Sequence, residues 1–458
     1  MSLDFDSYFR KLDPQNTWIV KRLTGGLVNV TVRAVRDDAN KQNTAADKPG
    51  PFGKHQSLIL KYAPPFVASV GEGAPFDQIR QIVEKNALTL FSEPDGPLKL
   101  MTSKASVRVP GLISHDEEHH ILVLEDLGTL PPLSDHLSAS WLPSQSSTWP
   151  SLTGTLLLEN HKLCLCIGEK LGEFFADFHA EETLNSIKSY GNDPTMTWFE
   201  NGSMKEVVRE AAVSTIRRYL CQFNCVESEE LSKIVEEDFE RQEVFDGEQC
   251  FNVGDLWPGG ILIGLPSKTS QDLTAVVEEN NIGVIDFEFS GLGRGVNGDM
   301  AQLLAHLHLY SIAWGNCGEQ FKPIHKGVLA LAEGLCSSYT RHSYSAKAPW
   351  QLYSASLQPP ASSHAAGIFR SALILHGREV INNAVENDWS SYCIKTFDDS
   401  QRADGKDTNL TRKMVDTGVS CLQMAGRTIE EFVQADNWKR VCCSKESSMI
   451  ARLFNVGS

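Results

Sequence analysis

A chain of 458 residues exceeds what one ordinary hydrophobic core organises, so its length predicts two lobes or domains. With 41% hydrophobic, 9% aromatic and 22% charged residues, the composition is that of a globular protein and excludes disordered and fibrous classes. A net charge of −16 argues against a protein that tracks a nucleic-acid backbone, which needs clustered Lys and Arg; it fits an ordinary solvated acidic surface.

The opening MSLDFDSYFRKLDPQ has no apolar run behind a basic start, which is not the pattern of a secretory signal. The apolar stretch GGILIGLP at 259–266 is far too short to span a membrane, and no other run approaches that length. Eleven cysteines, an odd number, fit a reducing cytoplasmic compartment better than a disulfide framework. Cys164 and Cys166 lie in an apolar helical pattern and Cys442-Cys443 has no matching partner motif, so they read as core or surface thiols.

Taken in order, WIVKRLTGGLVNVTVRAVRDD predicts strand, Gly turn, strand, and HQSLILKYA a further strand. The polar DDANKQNTAADKPGPFGK between them reads as a loop or insertion. Residues 76–91 place apolar side chains at helical spacing, and VRVPGLIS and HHILVLEDLG read as two more strands, giving a small sheet with one helix. After Gly128 the Pro- and Ser-rich stretch at 130–155 predicts a surface excursion. Helices then dominate: Ile167, Leu171, Phe174, Phe175 and Phe178 form one stripe. Two apolar runs, GILIGL and IGVIDFEF, flank a polar spacer like a β-hairpin with an enlarged loop, and helices return from Met300 onward.

Chemistry concentrates in that hairpin. Asp286 and Glu288 are two apart behind Val284-Ile285, and on a strand such residues share a face. Two like charges so close need a cation or a proton between them, which makes the pair a candidate metal site. Just upstream, Gly-Asp-Leu-Trp-Pro-Gly holds Asp255 on a tight turn before the first apolar run. Several neighbours carry plain structural explanations. Asp299 reads as an N-cap and brace of the next helix, His179 as a structural histidine, and Trp257 as packing under its loop or stacking on a substrate. Alone, Gly25-Gly26 could be a hairpin turn, and Lys61 and Glu84 ordinary surface charges.

The pairing of the G-D-x-x-x-G loop with VIDFE resembles the aminoglycoside phosphotransferase and choline kinase superfamily, closest to its methylthioribose kinase-like branch. That resemblance, running in order over roughly residues 18–310, implies an α+β, two-lobed protein-kinase-like fold. It implies a small antiparallel N-terminal lobe at 1–126 that binds nucleotide and a mainly helical C-terminal lobe at 127–458. Residue by residue it makes Asp255 the catalytic base and Asp286 and Glu288 the ligands of Mg²⁺. LTGGLVNVTVRA is similar to the nucleotide-covering turn, with Gly25, Gly26 and Asn29. LILKYAPPFVASVGEGAPF supplies Lys61 for the ATP phosphates, IVEKNAL supplies Glu84 as its partner, and LVLEDLG is similar to the hinge, with Glu125 and Leu127 beside the adenine. The implied activity is transfer of the ATP γ-phosphate to a hydroxyl of a small molecule, with no nucleic acid or membrane partner and nothing said of oligomeric state.

The chain departs from the family pattern at three places, one of them a Gly-rich turn with fewer glycines than in protein kinases. Val253 stands where His is usual, and Gly260 where a metal-ligating Asn is usual, although the methylthioribose kinase branch carries Ser there. Of the paired arginines that this branch uses, LHGREVINNAV offers only Arg378, so the expected acceptor is a generic hydroxylated molecule. The rival expectation, motivated by Gly260, is a catalytically silent protein that binds a nucleotide or a protein partner.

Overall fold

The computed structural model describes residues 3–23, 26–37, 50–52, 54–104, 107–138, 157–190, 194–200, 202–241, 244–245, 247–264, 282–345, 348, 350, 359–360, 362–392 and 408–456. Most of the expected loops at 39–56 and 130–155, and most of the hairpin's polar spacer, lie outside them.

The first helix, α1 (Phe5–Leu12), starts at Asp4, whose carboxylate accepts from the Ser7 amide. It lays Tyr8 and Phe9 on the sheet, with Phe9 stacked on Trp18 at 5.3 Å between ring centres. The strands are β1 (Trp18–Arg22), β2 (Val30–Arg36), β3 (Ser57–Tyr62), β4 (Val107–Arg108), β5 (Leu112–Asp116) and β6 (Ile121–Glu125). Five of them form an antiparallel sheet in the order β1-β2-β3-β6-β5. Strand alternation sends Leu58, Leu60, Ile121 and Val123 to the α1 face, and Ile59, Leu122 and Leu124 to the other. Lys61 points to this second face, where helix α2 (Ile79–Ser92) lies with Val83, Ala87 and Phe91 in the core.

VRVPGLIS, expected as one strand, is two. Pro110 has no N–H to donate to a ladder, and the pieces on either side join different sheets. β4 runs parallel to β9 (Ile282–Val284), which pairs antiparallel with β8 (Ile261–Ile263), so the expected hairpin forms. A two-stranded ribbon of β7 (Gln249–Asn252) and β10 (Gly291–Arg294) lies beyond it. The single expected N-terminal helix is accompanied by α1 and by a short helix at Lys99–Lys104.

The remainder is mainly helical. Helices His161–Phe178 and Lys322–Ser345 approach so closely that backbone meets backbone. A Cβ on Gly168 would stand 2.2 Å from the Leu331 carbonyl oxygen, one on Gly172 2.4 Å from that of Leu335, and one on Gly334 2.1 Å from that of Leu165. Only glycine permits this contact. The described cysteines are free thiols, Cys164 among the buried ones. Among the described residues no helix is long and apolar enough to cross a membrane.

Candidate functional site

The Lys61 ammonium is the centre of the site. Held in β3 between Thr31 and Leu122, it donates to Glu84 Oε1 at 2.8 Å, to Asp286 Oδ1 at 2.7 Å and to Glu288 Oε2 at 2.8 Å. Lys61, Glu84 and Glu288 are buried, and Asp286 is partly open. Burial alone would lower the Lys61 ammonium, but Asp286, Glu288 and Glu84 outweigh it and hold it well above its ordinary value. Burial pushes the Glu84 carboxyl up to about 8, against the pull of Lys61 and with Glu288 and Asp286 adding to the rise. The three carboxylates offer oxygens within 4.8 Å of one another, the hard-oxygen donor set that suits a dication such as Mg²⁺.

Asp286 and Glu288 do converge, but not by strand alternation. β9 ends at Val284, and Asp286 sits at φ 66°, a left-handed conformation uncommon for a residue with a side chain. A bent turn after the strand, rather than the pleat, turns both carboxylates onto Lys61.

The Asp255 loop is fixed from below. Asp299 Oδ2 accepts from the Val253 amide at 2.7 Å and Oδ1 from the Gly254 amide at 3.0 Å. His179 Nε2 lies 3.1 Å from Asp299 Oδ2 and Nδ1 3.1 Å from the Tyr339 hydroxyl. A carboxylate only accepts, so His179 Nε2 donates to Asp299 and Nδ1 accepts from the Tyr339 hydroxyl, a structural role as expected. Asp299 is the expected brace, but it is not a side-chain cap: it makes no capping hydrogen bond to the helix Met300–Asn316, because both oxygens are spent on the loop. Gly254, at φ 88°, has no room for a Cβ, which would stand 2.1 Å from the Phe289 carbonyl oxygen.

Asp255 itself accepts from Gln302 Nε2 at 2.6 Å. Burial pushes its carboxyl up to about 7; the Gln302 bond opposes this, while Glu379, Glu288 and Asp286 reinforce it. Gln302 escaped the sequence reading. Its only signal was its position one helical turn after Asp299, which puts both on one face. The Trp257 ring packs against Gly259, where a Cβ would come within 2.2 Å of it, and lies 6.5 Å from the His306 ring. Gly260 offers no side chain, and its carbonyl accepts from the Ile285 amide at 2.9 Å.

Of the covering turn, Gly25 lies outside the described residues, and Gly26 approaches the Asn29 carbonyl so that a Cβ would stand 3.1 Å away. Asn29 is buried, and its side-chain oxygen accepts from Arg80 Nε at 3.0 Å. The fully buried Arg80 also donates to the carbonyls of Asp77 and Pro64, both at 2.7 Å, tying the turn to α2. At the end of β6, Arg108 and the Gly111 amide occupy the Glu125 carboxylate, the Glu125 amide donates to the Gly111 carbonyl at 2.8 Å, and Leu127 is buried against Gly283. Behind the Asp255 loop a cavity of about 240 Å³ is lined by Asp238, Arg294, Asn297, Asp299, Gln302 and Arg378, among others. Arg294 pairs with Asp238 at 2.9 Å and Arg378 with Glu379 at 2.6 Å.

An antiparallel sheet carrying a buried lysine, a helix supplying its glutamate and a braced carboxylate loop on the helical side define a two-lobed protein-kinase-like fold of the α+β class. The chain resembles the small-molecule kinases built on that fold. It is 26% identical over 281 residues to a 4-hydroxytryptamine kinase of Psilocybe cyanescens, covering 60% of this chain and 63% of that protein. The chain therefore spans less than two thirds of that relative. A methylthioribose kinase of Bacillus cereus is 38% identical over 77 residues, 16% of each chain. An amicoumacin kinase structure in complex with AMP-PNP and Ca²⁺ superposes with a TM-score of 0.42 at 11% identity, covering 93% of this chain and 95% of that one. No family model matches the chain.

Proposed function

We propose that the chain is an ATP-dependent phosphotransferase acting on a hydroxyl of a small molecule, with residues 1–126 as the nucleotide lobe and 127–458 as the catalytic lobe. The observation that carries this reading is the convergence of Glu84, from α2, and of Asp286 and Glu288, from the turn after β9, on Lys61 of β3, beside a braced Asp255. Phosphoryl transfer asks a protein for positioning and charge more than for covalent chemistry. In this reading Lys61 serves the phosphates, and Gly26 and the backbone near Leu127 cover the nucleotide. Asp286 and Glu288 hold Mg²⁺, which supplies neutralisation of phosphate charge. The acceptor oxygen bonds to the γ-phosphorus, the bond to the bridging oxygen of ADP breaks, and the hydroxyl proton passes to Asp255. A base whose carboxyl sits near 7 suits that task at neutral pH.

The relatives' names point to 4-hydroxytryptamine, a hydroxylated aromatic amine, as the first acceptor to try. The aromatic faces of Trp257 and His306 beside an acidic loop suit such a molecule. The test is phosphate transfer from γ-labelled ATP with Mg²⁺ across a panel of hydroxylated amines and sugars. Transfer that disappears in Asp255→Asn supports the proposal. ATP binding with no transfer to any member would turn the reading to the silent nucleotide-binding protein that Gly260 suggests.

A further inference from the structure

Lys61 does more than pair with a glutamate. An ammonium has three N–H donors, and here each meets a different carboxylate, at 2.7 to 2.8 Å. Two of the accepting oxygens, Asp286 Oδ1 and Glu288 Oε2, belong to the residues that would ligate a dication. We propose that Lys61 is the built-in cation of this carboxylate cage and excludes a free divalent metal from it, so that metal enters only together with a nucleotide whose phosphates draw the ammonium away. This rests on the phosphotransferase reading.

The geometry makes the two cations rivals. A Mg²⁺ ion binds carboxylate oxygen at about 2.1 Å, so an ion on the same oxygens would crowd a positive ammonium within a few ångströms. In its present position Lys61 also has no N–H left for a phosphate. Serving the nucleotide and releasing the metal ligands are therefore one movement. The backbone of Lys61 cannot make it, since β3 is paired on both sides, so the movement belongs to the side chain. Asp286 is the most exposed of the three carboxylates and gives the cage its opening to solvent.

Charge gives the same order. Three carboxylates and one ammonium leave the cage formally at minus two. Removing the ammonium without a replacement would leave three adjacent carboxylates, two of them buried, with no cation among them, which is costly. A dication arriving as the ammonium shifts to the phosphates keeps every charge partnered.

The experiment is titration with Mn²⁺, followed by loss of the free-ion EPR signal and by calorimetry, on wild type and Lys61→Met, each with and without AMP-PNP. Lys61→Met is expected to bind Mn²⁺ without nucleotide at least about tenfold tighter than wild type, and to lose that gain when Asp286→Asn is added. Wild type is expected to bind Mn²⁺ well only with AMP-PNP. A folded Lys61→Met that binds Mn²⁺ no tighter than wild type, or a wild type that binds Mn²⁺ well without AMP-PNP, overturns the proposal. Lys61→Gln, which keeps a neutral donor near the carboxylates, serves if the Met variant does not fold, and the wild-type comparison decides the matter if neither does. Mn²⁺ gained by Lys61→Met while AMP-PNP never improves binding to wild type would remove the phosphotransferase reading and leave the exclusion by Lys61 standing.

Discussion

Asp255 shows how one half-buried carboxylate can serve chemistry at the expense of stability. Its carboxyl lies near 7 in the folded chain against an ordinary 3.8, with burial as the main cause. Because the folded value is raised, the folded state gains from the proton, and that contribution is present below about pH 4 and lost as the pH rises through about 7. Asp255→Asn, which cannot ionise, should therefore melt close to wild type near about pH 4 and above it at about pH 8, while abolishing transfer. Thermal unfolding at both pH values checks the sign. Gln302 acts through Asp255. Its N–H favours the ionised form, so Gln302→Leu should move the acid limb of kcat to higher pH. At about pH 7 kcat should fall roughly tenfold, the scale of a hydrogen bond to a charged group, and recover as the pH is raised. A merely structural loss would not recover.

At the scale of elements, the site depends on parts that hold the loops from behind. The segment from Asp299 to Gln302 governs both the backbone and the side chain of the Asp255 loop, so one turn of chain sets the whole loop. Arg80 does the same for the covering turn through Asn29. The glycine seam between helices His161–Phe178 and Lys322–Ser345 lies under His179, the partner of Asp299, and Tyr339, the partner of His179. Gly334→Ala should force these helices apart and cost about 1–3 kcal/mol or more, seen as a melting point several degrees lower. The apolar stripe from Ile167 to Phe178 marked the first of these helices in the sequence but not the partner its glycines serve, because glycine says only that something approaches closely.

For the whole molecule, the two-lobed arrangement predicts that nucleotide bridges both parts of the site. A ligand that binds only the folded chain raises its melting point. ATP with Mg²⁺ should raise it by a few degrees at about a hundred times the dissociation constant, where the gain is about 2.7 kcal/mol. Asp286→Ala should remove the part of the rise that depends on Mg²⁺. No rise with ATP at any Mg²⁺ concentration would leave the fold without its proposed reaction.

The strands of the sheet, helix α2 and the hairpin around the polar spacer were legible in the sequence, because apolar periodicity and turn signals are local, and the family resemblance pointed to Lys61, Glu84, Asp255, Asp286 and Glu288. Whether those residues meet is not local. Lys61 and Glu288 lie 227 positions apart, and only the packing of the sheet and α2 against the turn after β9 brings them to 2.8 Å. The split of VRVPGLIS between two sheets, the left-handed turn at Asp286, the spending of Asp299 on the loop rather than on a cap and the hold of Gln302 on Asp255 were likewise decided by tertiary structure. In each case the partner is distant in the chain, and burial rather than local propensity fixes where the polar groups find their hydrogen bonds.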